Sequence, residues 1–183
     1  DSLGRVWAGT HSGLSCFDGK TWKTYTLDDG LAGNFICSLS IGPGNEVWAG
    51  TETGLSCFDG AQWKSFRIAD GLPDDAVNSI AVSPGGVVWI GTAKGLGRYD
   101  GVLWTRWTPN DGPRTNSVTA IAAGRDGKLW YGMDDYRESG GVGYFDGKTW
   151  GSPEMLRELD RFAIGGITAD NNGNGWIGAY DCR

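Results

Sequence analysis

Residues 35–68 show the pattern that organises the chain. Apolar and β-prone side chains fill Phe35 to Ile41, Glu46 to Thr51, Leu55 to Phe58 and Gln62 to Ile68. Between them stand Gly42-Pro43-Gly44-Asn45, Glu52-Thr53-Gly54 and Asp59-Gly60, all turn-forming sequences. Four short strands are predicted. Asp59-Gly60 predicts a two-residue hairpin turn with both central residues at positive φ. Four strands joined in this way make one antiparallel sheet, and about 40 residues per sheet is the period of a propeller blade.

The same pattern recurs along the chain. Trp7, Trp48, Trp89 and Trp130 follow one another at intervals of 41 residues, and Trp176 comes 46 residues after Trp130. A second tryptophan follows each of the first four, at Trp22, Trp63, Trp104 and Trp150. The repeats run approximately over residues 1–27, 28–68, 69–109, 110–155 and, in part, 156–183. The expected fold is therefore all-β: a propeller, or propeller fragment, of four-stranded antiparallel blades. About four blades are visible, and the chain begins and ends within a blade. Counting strands repeat by repeat gives 17.

Within each repeat the first strand alternates small and branched residues. Ser38 and Ser40, Ser79 and Ala81, Ala120 and Ala122, and Gly166 and Thr168 are expected to line a crowded central axis. Ile36, Leu39 and Ile41 and their counterparts are expected to pack into the neighbouring blade. Strict periodicity makes the tryptophans packing residues between sheets, where each buries a large apolar area. Trp107 lies outside the two periodic sets but matches Tyr25 and Phe66, and the same role is expected of it.

Composition adds little to the architecture and more to its uses. Of 183 residues 32 are glycine, which with a fixed period means many tight turns. The net charge is −6 and the basic residues are scattered, which argues against a nucleic-acid partner. No apolar run reaches the length of a membrane span. Of the four cysteines, Cys16 and Cys57 hold equivalent places, read here as matching Gly97 and Gly143. That reading makes the position a small buried site with free thiols.

Asp29-Gly30-Leu31, Asn34 to Ile41, Val47-Trp48-Ala49-Gly50-Thr51, Gly54-Leu55 and Phe58-Asp59-Gly60 together resemble the two-component regulator propeller repeat. Asp70-Gly71-Leu72-Pro73, Val88-Trp89-Ile90-Gly91-Thr92, Gly95-Leu96 and Tyr99-Asp100-Gly101 write it again. The resemblance implies a β-propeller of the kind that forms extracytoplasmic sensor regions, often reading glycan breakdown products. It also implies a periplasmic or extracellular location. Propellers that resemble this one usually have more blades. Closure of the first sheet (Arg5 to Leu27) by the strand Ala163 to Ala169, within one chain or between two, would remove an exposed edge. Homo-oligomer formation through such a shared blade is a further expectation.

Function should concentrate where the repeat breaks. Five extra residues lie within Met133 to Gly141, on the face where blade connectors gather. Asp134, Asp135, Tyr136, Arg137 and Glu138 are the candidate ligand-binding residues, with Tyr136 stacking and the charges hydrogen-bonding. Gly151 to Phe162 replaces the usual connector. Ser152-Pro153-Glu154 predicts a capped helical turn with proline at the first helical position, covering one face with Met155, Leu156 and Leu159.

Asp170, Asn172, Asn174, Gly175 and Asp181 fall at calcium-loop spacing, but their alignment with hairpin turns favours a plain turn. The single histidine, His11, lies in a turn and has no second histidine to pair with, which leaves little for nucleophilic catalysis. The expected function is a non-catalytic binding or sensor module for a small polar molecule or glycan, with no cofactor. The alternatives are a propeller lyase or hydrolase and a purely structural interaction platform.

Overall fold

Short strands expose two faces, and each face needs a cover. In the computed structural model, which describes residues 1–124, 127–134, 140–169 and 175–180, each sheet is covered by another copy of itself. The first sheet holds β1 (Val6–Thr10), β2 (Gly13–Phe17) and β3 (Trp22–Tyr25). The second holds β4 (Ile36–Ile41), β5 (Val47–Thr51), β6 (Gly54–Phe58) and β7 (Trp63–Phe66). The third holds β8 (Val77–Val82), β9 (Val88–Thr92), β10 (Gly95–Tyr99) and β11 (Trp104–Trp107). The fourth holds β12 (Val118–Ala123), β13 (Leu129–Met133), β14 (Gly141–Phe145) and β15 (Trp150–Gly151). β16 (Ala163–Ala169) and β17 (Gly175–Tyr180) form the last.

Strands adjacent in sequence pair antiparallel within each sheet, and the described residues contain the expected 17 strands. The fourth strand of the second blade stops earlier than its sequence suggests, because Ile68 already belongs to a 3-10 turn, Ile68–Asp70. No helix of the described residues is long and apolar enough to cross a membrane.

The first strands stand side by side: β4 next to β8, β8 next to β12 and β12 next to β16. Here the axis expectation needs revision. Each sheet faces its neighbours, so the two-residue alternation sends side chains into two blade-to-blade gaps. Ile36 and Leu39 reach back toward Gly9 of the preceding blade. Ser38 points forward, toward Gly50 and the Val77 of the following blade. The Oγ atoms of Ser38 and Ser79 are buried without a hydrogen-bond partner among the described residues. Ser38 and Ser79 therefore fill the narrow, crowded end of the gap between sheets, whereas Gly166 and Thr168, with no described sheet beyond them, do not. The glycine in each Gly-Thr pair has the same cause: a Cβ on Gly91 would lie 2.7 Å from Val118 Cγ1.

The tryptophans do pack between blades. Trp48 and Phe66 from the second blade meet Tyr99 and Trp104 from the third, with ring centroids 5.0–6.1 Å apart. Trp7 and Tyr25 meet Phe58 and Trp63, and Trp89 and Trp107 meet Phe145 and Trp150, in the same arrangement. Trp107 takes the packing role expected of it. The outermost members differ. Trp22 is 58% exposed and Trp176 63%, since no described blade covers them. β16 pairs with β17 and lies beside β12, so the expected closure of the first sheet by this strand is not formed within the chain.

Two turn readings change. In the Asp-Gly turns only the glycine has positive φ, 98° at Gly60. The loop spans four residues, closed by Asp59 N donating to Gln62 O, and the Asp59 carboxylate accepts the N–H groups of Ala61 and Gln62 at 2.8 Å. Asp18, Asp100 and Asp146 repeat this. Hydrogen bonds to the ionised form hold all four carboxyls below their usual range, Asp146 at about 2 against its ordinary 3.8. A depressed folded-state pKa contributes stability above the unfolded pKa, and that stability is lost as pH falls through the folded value. The melting temperature should therefore fall as pH drops from about 4 toward 2, and less steeply in Asp59→Asn; parallel pH–melting curves by circular dichroism would refute this.

The position of Cys16 and Cys57 also changes. Strand register sets Cys57 opposite Trp48, Arg98 opposite Trp89 and Tyr144 opposite Trp130. The counterparts are thus arginine and tyrosine, not Gly97 and Gly143, and the site is a variable one at the edge of a blade-to-blade gap. The thiols are free as expected, and burial pushes Cys57 up to about 12.

Candidate functional site

In an antiparallel sheet the turn between second and third strands lies at the same end as the connector to the next blade. The turns between first and second and between third and fourth strands lie at the other end. The repeat supplies an internal reference at the connector end. In the second blade that end is sealed. Thr26 and Asp29 cap the Leu27–Asp29 turn, and Leu31 is buried beyond it. Ser56 Oγ accepts from Ala32 N at 2.8 Å, and Ser65 Oγ donates to Gly30 O at 2.8 Å. Arg67 donates to the carbonyl oxygens of Thr53 and Ala32, so its side chain straps the hairpin to the connector.

The third blade keeps the capping acid, Asp70, and the buried Leu72, but changes the side chains that tie hairpin to connector. Pro73 replaces Ala32 and has no N–H to offer. Gly97 replaces Ser56, and a Cβ there would lie 2.8 Å from Ile90 and 3.0 Å from Pro73. Arg106 replaces Ser65, Lys94 replaces Thr53 and Thr108 replaces the strapping Arg67. The result is a cleft of about 620 Å³ lined by Pro73, Lys94, Arg106, Thr108, Asn110 and Asn116. Lys94 Nζ lies 3.2 Å from Asp74 Oδ1. Asp111 accepts from Thr108 N at 2.7 Å and so caps its own turn. Arg106 is exposed on the cleft wall, a cation with five donors facing amide and hydroxyl groups. The cleft can hold a polar ligand by hydrogen bonds and one charge.

Sequence reasoning did not single out this cleft, because the substitutions that open it leave the repeat length unchanged. The signal was present in the three joint departures at Pro73, Gly97 and Arg106. Of the five candidates in the insertion, Asp134 is placed at the end of β13, 6% exposed, with its N–H donating to Ser117 O. Asp135, Tyr136, Arg137 and Glu138 lie outside the described residues, as do Asp170, Asn172, Asn174 and Asp181 of the calcium reading. His11 stacks on Phe35 at 4.2 Å, a packing role. The 3-10 helix Glu154–Arg161 covers Ala120, Val142 and Ile164 with Leu156 and Leu159, as expected of a local lid, while Met155 is left exposed. Pro153 stands at its N-cap and not in its first turn, and Ser152 Oγ donates instead to Val142 O. Arg114 ties this helix down through Asp160 at 2.8 Å.

Residues 71–94 match the family model described as two component regulator propeller. No curated protein matches the chain. Among solved structures, an extracellular domain ascribed to a hybrid two component system of B. thetaiotaomicron superposes with a TM-score of 0.79 at 21% identity, over 98% of this chain and 26% of that one. A virginiamycin B lyase from Staphylococcus aureus, in a catalytically inactive form with quinupristin, gives 0.72 at 20% identity over 97% and 60%. PorZ, a surface component of the type-IX secretion system of Porphyromonas gingivalis, gives 0.65 at 20% over 91% and 26%. The chain therefore spans only part of each of these, 26–60% of their lengths. An extracellular domain of a two component system, a lyase and a secretion component share this propeller fold, so the fold does not choose among them.

Proposed function

We propose that this β-propeller, which carries the two component regulator propeller repeat, is a non-catalytic ligand-binding module of sensor type. One observation carries the reading: the connector end of the third blade is opened by coordinated substitutions where the second blade is strapped shut. The ligand is a small polar molecule or glycan fragment that meets Arg106 by charge-assisted hydrogen bonds and Asn110 and Asn116 by neutral ones. The lining supplies donors and a fixed cation, suited to holding a ligand in place. The likeness to an extracellular domain ascribed to a hybrid two component system supports the reading.

Thermal-shift screening of mono- and oligosaccharides and sugar acids tests it. A ligand that binds the folded state alone raises stability by about 2.7 kcal/mol at a hundred times its Kd. Arg106→Ser restores the second blade's residue and should remove the shift. Thr108→Arg restores the strap and should remove it as well. A hit unaffected by either variant, or no hit at all, counts against the cleft as the binding site.

A further inference from the structure

The opposite end of the third blade carries a second departure from the repeat. In the first two gaps between blades a lysine covers the aromatic ring of the fourth strand. Lys23 Nζ lies 4.4 Å from the Tyr25 ring and Lys64 Nζ 4.8 Å from the Phe66 ring. In the third blade the covering position is Thr105, whose side chain is too short to reach across Trp107. Trp107 remains stacked on Trp89 at 5.6 Å, but its lysine cover is gone. A groove of about 420 Å³ opens there, lined by Ser83, Trp89, Arg98, Thr105, Trp107 and Phe145.

Charge changes with shape. The second blade places Glu46, Cys57 and Lys64 around this point, an acid and a base beside a thiol. The third blade has Val87, Arg98 and Thr105 in their places. One acid, Glu46, is lost while Asp100 keeps the place of Asp59, and the cation moves from above the fourth-strand ring to the flank of the groove. Arg98 Cζ lies 5.9 Å from the Trp89 ring. Its carboxylate neighbour, Asp100, is 3.9 Å away, and Asp100 Oδ1 already accepts from Val102 N and Leu103 N at 2.9 Å. The groove thus combines an indole without its cation, a guanidinium with spare donors and a short hydroxyl.

We infer that this groove is a second binding site, separate from the connector-end cleft, for a carboxylate-bearing pyranose. The sugar's apolar face lies on Trp107, and its carboxylate pairs with Arg98. Thr105 leaves room for the ring, and its hydroxyl lines the floor.

Titration calorimetry with tetragalacturonate, and with a neutral cello-oligosaccharide of the same length, tests the assignment. The expected result is saturable binding of the acidic oligomer. Thr105→Gln lays a neutral chain over Trp107, where Lys23 and Lys64 lie over their rings in the first two blades, and should weaken binding at least tenfold. Arg98→Cys restores the second blade's residue and should reduce affinity for the acid to that for the neutral oligomer. Lys20→Ala, in an exposed turn of the first blade, should leave binding unchanged. Thr105 lies on the edge strand β11 and Arg98 on β10 beside it, and equal melting temperatures would show that the fold is kept. The inference is overturned if tetragalacturonate does not bind, if it binds both groove variants as tightly as the parent, or if Arg106→Ser is what weakens it. Equal affinity of the parent for the neutral oligomer, or tighter binding of benzoate than of the uronate, also overturns it.

Discussion

Trp48→Ala should destabilise the protein by about 3–5 kcal/mol, the range for deleting a buried tryptophan. The indole is 7% exposed and packs with Phe66 at 6.0 Å and Tyr99 at 6.1 Å, in one cluster with Leu55, Val77 and Ile90. Its removal leaves a void between two hydrogen-bonded sheets. Neither sheet can move inward without breaking its own ladder or its contact with the next blade, so the cavity persists and the upper part of the range applies. Trp176 holds the same place in its repeat but is 63% exposed. Trp176→Ala should therefore change stability by about 0.5 kcal/mol or less. Urea unfolding followed by far-ultraviolet circular dichroism separates the two, provided the slopes agree. Similar losses in both variants would mean that the gaps between blades do not hold the fold together.

The same contrast explains what the sequence made legible. A 41-residue period fixes which residues are equivalent, and equivalence fixes strands, order and the gap each tryptophan fills. It could not show that the fifth sheet lies beside the fourth rather than completing the first, because Ala163 to Ala169 would pair plausibly in either place. It also misled wherever alignment slipped by one residue. Reading Gly97 as the counterpart of Cys57 hid Arg98, since one step along a strand moves a side chain to the other face.

The candidate sites were harder to read for a related reason. An insertion announces itself by length, as the one holding Asp134 and its neighbours does. Asp134 proved buried. Both openings of the third blade arise from substitutions at constant length: Thr108 in place of Arg67, and Thr105 in place of Lys64. In each case the informative change is the loss of a long side chain that closes the equivalent gap elsewhere. Such a loss becomes visible only once the partner it used to touch, the Ala32 carbonyl or the Phe66 ring, has been located in space.

Gly54→Ala should be the most damaging glycine substitution in the second blade. Gly54 opens β6 opposite Thr51, with φ at 149°, and Thr51 Oγ1 donates to its carbonyl at 2.8 Å. An added Cβ would lie 2.7 Å from the Phe66 carbonyl oxygen and 2.8 Å from Ala32 Cβ. Neither partner can give way easily. Phe66 is held in β7, and Ala32 is fixed by Ser56 and Arg67. Backbone strain and overpacking therefore act together, and the expected loss is about 2–5 kcal/mol. Gly60 separates the two effects. Its φ is 98°, and a Cβ there would meet nothing within 4 Å, so Gly60→Ala carries the backbone strain alone. Its expected cost is about 1–2 kcal/mol. The difference between the two variants, measured by denaturant titration, reads the contact between hairpin and connector directly. Equal losses would show that the connector is not held tightly against the second-to-third-strand turn. The strapped state of the second blade, against which the open cleft of the third is defined, would then lose its footing.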